Sequence, residues 1–163
     1  GASAVVGNIN ALLASDHGYD HVVATKDYHV DPGSHFAEEP DFVSSWPVHC
    51  VAHTSGADFH PELNTAAVEA VFHKGAYAAA YSGFEGRLNG VSLADWLRSR
   101  EVDEVDVVGI ATDYCVRATA DDAVRSGLGT RVLLDLTAGV AADSTAEAMA
   151  ELRRAGVELV QAP

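Results

Sequence analysis

The stretch from Val102 to Val160 constrains the fold more than any other part of the chain. In it, β-branched runs alternate with helical segments: "VDEVDVVGI", then "YCVRATADDAVRSG", "TRVLLDLT", "AEAMAELRRAG" and "VELV". Strands separated by helices of ten to fifteen residues pair in parallel and are covered on both faces, because each crossover lays its helix against the sheet. The spacing predicts an α/β fold, a three-layer doubly wound parallel sheet. Upstream, "GASAVVGNINALLAS" places Val5, Ile9, Leu12 and Leu13 on one helical face. "HVVAT" reads as a short strand ending near Lys26, "AAVEAVFHKG" as another leading to Lys74, and "SLADWLRSR" as a helix. Gly127 reads as the close of the helix that contains Cys115, and Ser144 with Glu147 has capping-box spacing. No internal repeat or linker divides the chain, so residues 1–163 read as a single domain.

Between Asp27 and Leu63 this pattern dissolves. That segment holds four of the five prolines and five of the eight histidines. A loop so long inside a compact domain is commonly functional. Composition narrows the function. Twenty-four acidic residues against ten basic ones give a formal charge of -14, which repels nucleic acid and anionic membranes. No apolar run spans a bilayer and no secretory signal is visible. Two cysteines, Cys50 and Cys115, make no disulfide framework and suit a reducing cytoplasm.

Ligands of doubly wound sheets collect beyond the carboxyl ends of the strands. Asp27, Lys74 and Cys115 all stand at such ends. A cysteine at a strand-to-helix turn has its thiol pKa lowered by the helix dipole and backbone amides beside it, the requirements of a nucleophile, although unpaired cysteines are also common as small core hydrophobes. Asp27 and His29 alternate along an extended segment, His35 follows six residues later, and His49 lies in "SSWPVHC". Mixed carboxylate and imidazole donors suit Zn, Mn or Fe. Trp46, Tyr81 and Phe84 are candidates for an aromatic clamp on a flat ring, or for ordinary packing. His17, His21, His53, His60 and His73 lack such companions and read as structural or solvated.

The blocks "VATKDYHVDPGSHF", "SSWPVHC" with "GADFHPEL", "VFHKGAYAAAYSGFEG" and "VDEVDVVGIATDYCVRATADDAVRSG" followed by "VLLDLTAGVA" closely resemble bacterial nicotinamidases, or pyrazinamidases, of the isochorismatase-like hydrolases. The resemblance implies hydrolysis of nicotinamide, and of pyrazinamide, in NAD salvage. It implies Cys115 as nucleophile and Lys74 as its cationic partner, with the amides of Ala111 and Cys115 as oxyanion hole and a cis peptide between Ile110 and Ala111. One divalent ion, Fe, Zn or Mn, is implied on Asp27, His29, His35 and His49, and Trp46 and Tyr81 are implied ring contacts, with Ile110 beside them. Family members begin with a central strand that ends in a general-base aspartate, and this sequence begins after that motif; the expectation is a chain N-terminally truncated relative to the family. His53 and Ser55, in "HCVAHTSGA", stand where Gly and Pro are usual, and only local loop changes are expected from them. Two other readings stay open: another cysteine amidohydrolase of the superfamily, acting on carbamoyl or ureido groups, and a non-catalytic metal-binding fragment. The sequence sets no oligomeric state.

Overall fold

The computed structural model describes residues 1–162. It opens on helix α1 (Ala2–Ala14), followed by strand β1 (Val23–Asp27). A long irregular segment with two short 3₁₀ turns, Gly33–His35 and Ser55–Ala57, leads to β2 (Ala70–Lys74). A small hairpin, β3 (Arg87–Leu88) and β4 (Val91–Ser92), precedes helix α2 (Leu93–Arg98). The alternating half follows: β5 (Glu104–Ile110), a single π turn (Thr112–Val116), α3 (Arg117–Arg125), β6 (Gly129–Ala138), α4 (Ala142–Ala155) and β7 (Glu158–Val160).

The expected single sheet is found as two. β1 and β2 pair in parallel and the antiparallel hairpin extends them; β5, β6 and β7 form a separate parallel set in that order. Among the described residues no strand joins β1 to β5, and neither of these edge strands contains a fully buried residue. The two halves nevertheless share a body. Val23 and Val105, one from each edge strand, pack on the same cluster of Ala70, Phe72, Leu93, Trp96 and Leu97.

The layering follows from the two-residue period of β6. Val132 turns to one face and packs with Val116, Ala120 and Leu152 from the α3 and α4 side. Leu133 turns to the other and packs with Leu12 of α1 and Leu136. Phe72, Leu133 and Leu152 are among the largest fully buried side chains. Each contributes roughly 1.5–3 kcal/mol of apolar transfer energy.

Two local expectations change. Ser144 does not cap α4; the helix begins at Ala142 with Ala141 as N-cap and no side-chain cap. The Ser144 hydroxyl donates instead to Asp113, at 2.5 Å. A capping box does form at Ser82 and Glu85, ahead of a short 3₁₀ turn. The β5–β6 register also shifts: Val107 faces Val132, but Gly109 faces Thr137. Gly109 adopts φ +116°, open only to glycine at ordinary cost. Such a bulge re-aims the chain end that follows it, here Ile110 and Ala111.

Asp113 ties that end to α4. Its side chain is buried, 3% exposed, and accepts from the amides of Val140 (3.0 Å) and Ala141 (3.3 Å) as well as from Ser144. Burial alone would raise its pKa, but these donors outweigh it and hold the carboxyl below its ordinary value. The stabilisation is therefore present above the unfolded-state pKa of about 4 and is lost as pH falls through the lower folded value. Asp113→Asn is expected to lower stability near neutral pH by about 2 kcal/mol. Denaturant midpoints measured across pH should show the wild-type advantage shrinking in acid, and an advantage constant with pH would contradict the charged network.

Candidate active site

The carboxyl ends of β1, β2 and β5 converge on one cavity of about 340 Å³, within the range of about 300–1,000 Å³ common for small-molecule sites. Asp27, His35, Trp46, His49, Tyr81, Ile110, Ala111 and Cys115 all line it. Two sequence candidates, His29 and Lys74, sit behind this wall at 1% and 4% exposure. Phe84 is not part of it; its ring packs on the Phe72 and Trp96 cluster.

The irregular segment is held by pairings between residues far apart in sequence. His29 bridges Val51: its amide donates to the Cys50 carbonyl at 2.9 Å, and Ala52 donates back to His29 at 2.8 Å. This brings His49 and Cys50 alongside the end of β1. Phe36 likewise bridges Trp46, with Trp46 N–H donating to the His35 carbonyl at 2.8 Å. His35 and Trp46 thereby become backbone neighbours, and both line the cavity. His53 takes the φ +62° that a glycine would adopt more readily, and its ring meets the Tyr28 hydroxyl at 3.0 Å.

One ring nitrogen each of His29, His35 and His49 lies within 4.8 Å of the others. A carbonyl oxygen can only accept, so His29 Nδ1 must donate to Gly75 (2.6 Å) and His49 Nδ1 to Pro47 (2.7 Å). Each ring then presents its lone pair at Nε2, the arrangement typical of metal-ligating histidines. His29 Nε2 and His35 Nδ1 are buried with no protein partner. Burial, reinforced by the neighbouring His29 and His49 rings, lowers the His35 pKa and favours its neutral, ligating form. Orphaned nitrogens of this kind fit a divalent cation. Gly75 makes the approach possible: its φ is +75°, and a Cβ there would stand 2.7 Å from His29 Cε1. Asp27 groups with His49 and Cys50 rather than with the full trio, and its Oδ1 accepts from the Lys74 ammonium.

Lys74 Nζ also donates to the Ala80 carbonyl at 2.9 Å and reaches Cys115 Sγ at 3.5 Å. Burial would lower its pKa, but electrostatic coupling and hydrogen bonding to Cys115 and to the Asp27 carboxylate prevail and raise it, so the group stays an ammonium. Cys115 departs from the sequence expectation. It lies in the π turn, one residue before that turn ends, and burial raises the thiol pKa despite the opposing pull of Lys74 and the Ala111 amide. The buried wall outweighs the helix end, so the resting group is a thiol with a cation beside it. The Ile110–Ala111 peptide is cis. Both cysteines are free, with no disulfide between them.

Several contributors escaped sequence reasoning. Tyr114 lines the cavity, crosses the Trp46 ring edge-on at 5.3 Å between centroids, and donates to the Phe42 carbonyl at 3.2 Å. Its place beside Cys115 was the available signal. Val140 completes the wall opposite, held by Asp113. Trp46 Nε1 donates to the Tyr81 hydroxyl at 3.1 Å, which fixes the two expected ring contacts against each other. No helix among the described residues is long and apolar enough to cross a membrane.

Comparison with known proteins agrees with this geometry. The isochorismatase domain model matches residues 1–163. The chain is 65% identical over 161 residues to the nicotinamidase/pyrazinamidase of Mycobacterium tuberculosis, covering 98% of this chain and 87% of that one. Among solved structures, PnC1 from L. infantum in complex with nicotinate superposes with a TM-score of 0.87 at 37% identity, covering 99% and 81% of the two chains. The pyrazinamidase of Pyrococcus horikoshii in complex with zinc gives 0.82 at 34%, covering 98% and 86%. With its strands, cavity and matched length in agreement, the chain belongs to the isochorismatase domain family.

Proposed function

We propose that the chain is a nicotinamidase that hydrolyses nicotinamide to nicotinate and ammonia, and pyrazinamide by the same route, through a thioester on Cys115. The observation that carries this is the pairing of Cys115 Sγ with a buried ammonium 3.5 Å away, in the wall of an aromatic-lined cavity that also receives the imidazole trio. The names of the relatives in M. tuberculosis and P. horikoshii support it. Trp46, Tyr81 and Tyr114 together give the cavity an aromatic wall, a surface that matches a planar ring better than a small ureido group and favours an aromatic amide over carbamoyl substrates.

In this reading the Cys115 sulfur attacks the carboxamide carbon. The amides of Ala111 and Cys115 receive the oxyanion, and Lys74 offsets the negative charge that gathers at the sulfur. The thiol proton passes to the carboxamide nitrogen, which leaves as ammonia, and water then cleaves the thioester to release nicotinate and restore the thiol, feeding NAD salvage. The residues described supply nucleophile, cation, oxyanion donors and ring contacts. Asp27, His29, His35 and His49 would hold the divalent ion, Fe, Zn or Mn, which when bound supplies a Lewis acid to fix the ring nitrogen.

The test is ammonia release from nicotinamide by the metal-loaded protein. Stoichiometric metal without turnover would favour a binding module. A companion variant examines the metal set: His29→Ala is expected to lower metal affinity by at least about 10-fold, because losing even a group that only orients a ligand costs that much, and to raise KM with it. Elemental analysis after dialysis checks this, and full metal retention would remove His29 from the set.

A further inference from the structure

Residues 37–45 form a strap that runs out from the Phe36–Trp46 bridge and returns to it. Its ends are paired: Ala37 N–H donates to the Trp46 carbonyl at 3.0 Å, and Trp46 N–H to the His35 carbonyl at 2.8 Å. Its tip is built by Asp41. That carboxylate accepts from the amides of Val43 (2.9 Å), Ser44 (2.8 Å) and Ser45 (2.8 Å) and from both serine hydroxyls. The turn therefore sets its own shape, but not its position over the cavity.

Two hydroxyls of the aromatic wall reach the tip. Tyr114 donates to the Phe42 carbonyl at 3.2 Å, across 72 residues of sequence. Tyr81 stands 3.5 Å from the Val43 carbonyl, at the limit of a hydrogen bond. Phe42 takes φ +56°, a left-handed conformation that a bulky residue keeps where surrounding contacts over-determine it. Its ring lies edge-on to Trp46 at 6.0 Å between centroids, and Trp46 lies edge-on to Tyr114. Contacts thus run from the residue before Cys115 out to the strap and back through Trp46.

We infer that the Tyr114 hydroxyl is a latch that holds the strap over the cavity, aligns Trp46, and so sets how tightly an aromatic amide is retained beside Cys115. The retention role rests on the reading that nicotinamide occupies the cavity; the latch from hydroxyl to carbonyl does not. The Tyr114 ring is part of the wall, whereas its hydroxyl is a positioning group that acts through the strap.

The experiment is Tyr114→Phe, which keeps the ring and deletes the hydroxyl. Calorimetry in manganese-loaded Cys115→Ala protein, where no turnover intervenes, should show nicotinamide binding weakened roughly 2- to 12-fold, the range for one hydrogen bond. With Cys115 present, KM should rise by a like factor and most of the loss in kcat/KM should rest there. Amide hydrogen exchange on the peptide spanning the strap in ligand-free protein should quicken, with β6 peptides unchanged. Asp41→Ala, which loosens the tip from outside the cavity wall, should quicken strap exchange and weaken binding as well. Strap exchange unchanged in Tyr114→Phe, or quickened equally in β6, would overturn the latch. Quicker strap exchange with unchanged binding would overturn the retention role. Protein that binds nicotinamide but releases no ammonia fails the amidase reading alone, because exchange and binding still decide the latch and its role. Protein that binds no nicotinamide overturns retention, and strap exchange still decides the latch.

Discussion

Cys115→Ala is expected to reduce nicotinamide turnover at least about 10⁴-fold, the scale of loss when a covalent nucleophile is removed, with bound metal unchanged. The separation of the two effects is the informative part. Cys115 lies at the end of β5 and the metal candidates lie at the end of β1 and in the loop beyond it, so the imidazole trio does not depend on the thiol. Alanine also fits the turn: the backbone bonds that define it, from Tyr114 and Val116 to the Ala111 carbonyl at 3.1 Å each, do not involve the side chain. Single-turnover ammonia assays with elemental analysis check both halves. Residual turnover within tenfold of wild type would remove the thioester route.

The second large effect is expected at Lys74. Lys74→Met keeps the stem but deletes the ammonium that joins Asp27, the Ala80 carbonyl and Cys115. Losing one preorganised stabiliser of developing charge costs about 10²–10³ in kcat. Because the group is 4% exposed, breaking the pair also leaves Asp27 without its cation, at a stability cost of about 3 kcal/mol. A third readout isolates the electrostatic role. Lys74 opposes the burial that raises the Cys115 pKa, so its removal should move the alkylation profile of Cys115 to higher pH. An unchanged profile would show that the ammonium only fills space.

The alternating half of the fold was legible because its signals are local. Val132 and Leu133 alternate within one strand, and α3 and α4 carry their own period, so no distant residue is needed to read them. The segment after Asp27 was legible only in composition. Its shape comes from the His29–Val51 and Phe36–Trp46 bridges, which join positions that no periodicity relates. Alternation of Asp27 and His29 suggested a shared ion, but the structure gives Asp27 to Lys74 and Cys50 as well, because strand ends bring three elements together. The same limit explains Ser144. Its capping spacing was sound as a local signal, yet a buried carboxylate 31 residues away recruits its hydroxyl. The thiol pKa direction reversed for a related reason: a helix end is visible in sequence, and the burial that outweighs it is not.

The central claim is that a carboxamide is cleaved through an acyl group carried on Cys115. The most direct measurement is rapid acid quenching of metal-loaded protein during turnover of nicotinamide, followed by peptide mass mapping. A nicotinoyl group on the peptide containing Cys115, absent in Cys115→Ala, is the predicted result. Sustained ammonia release with the Cys115 peptide unmodified at every quench time, or with the acyl group on another residue, would contradict it.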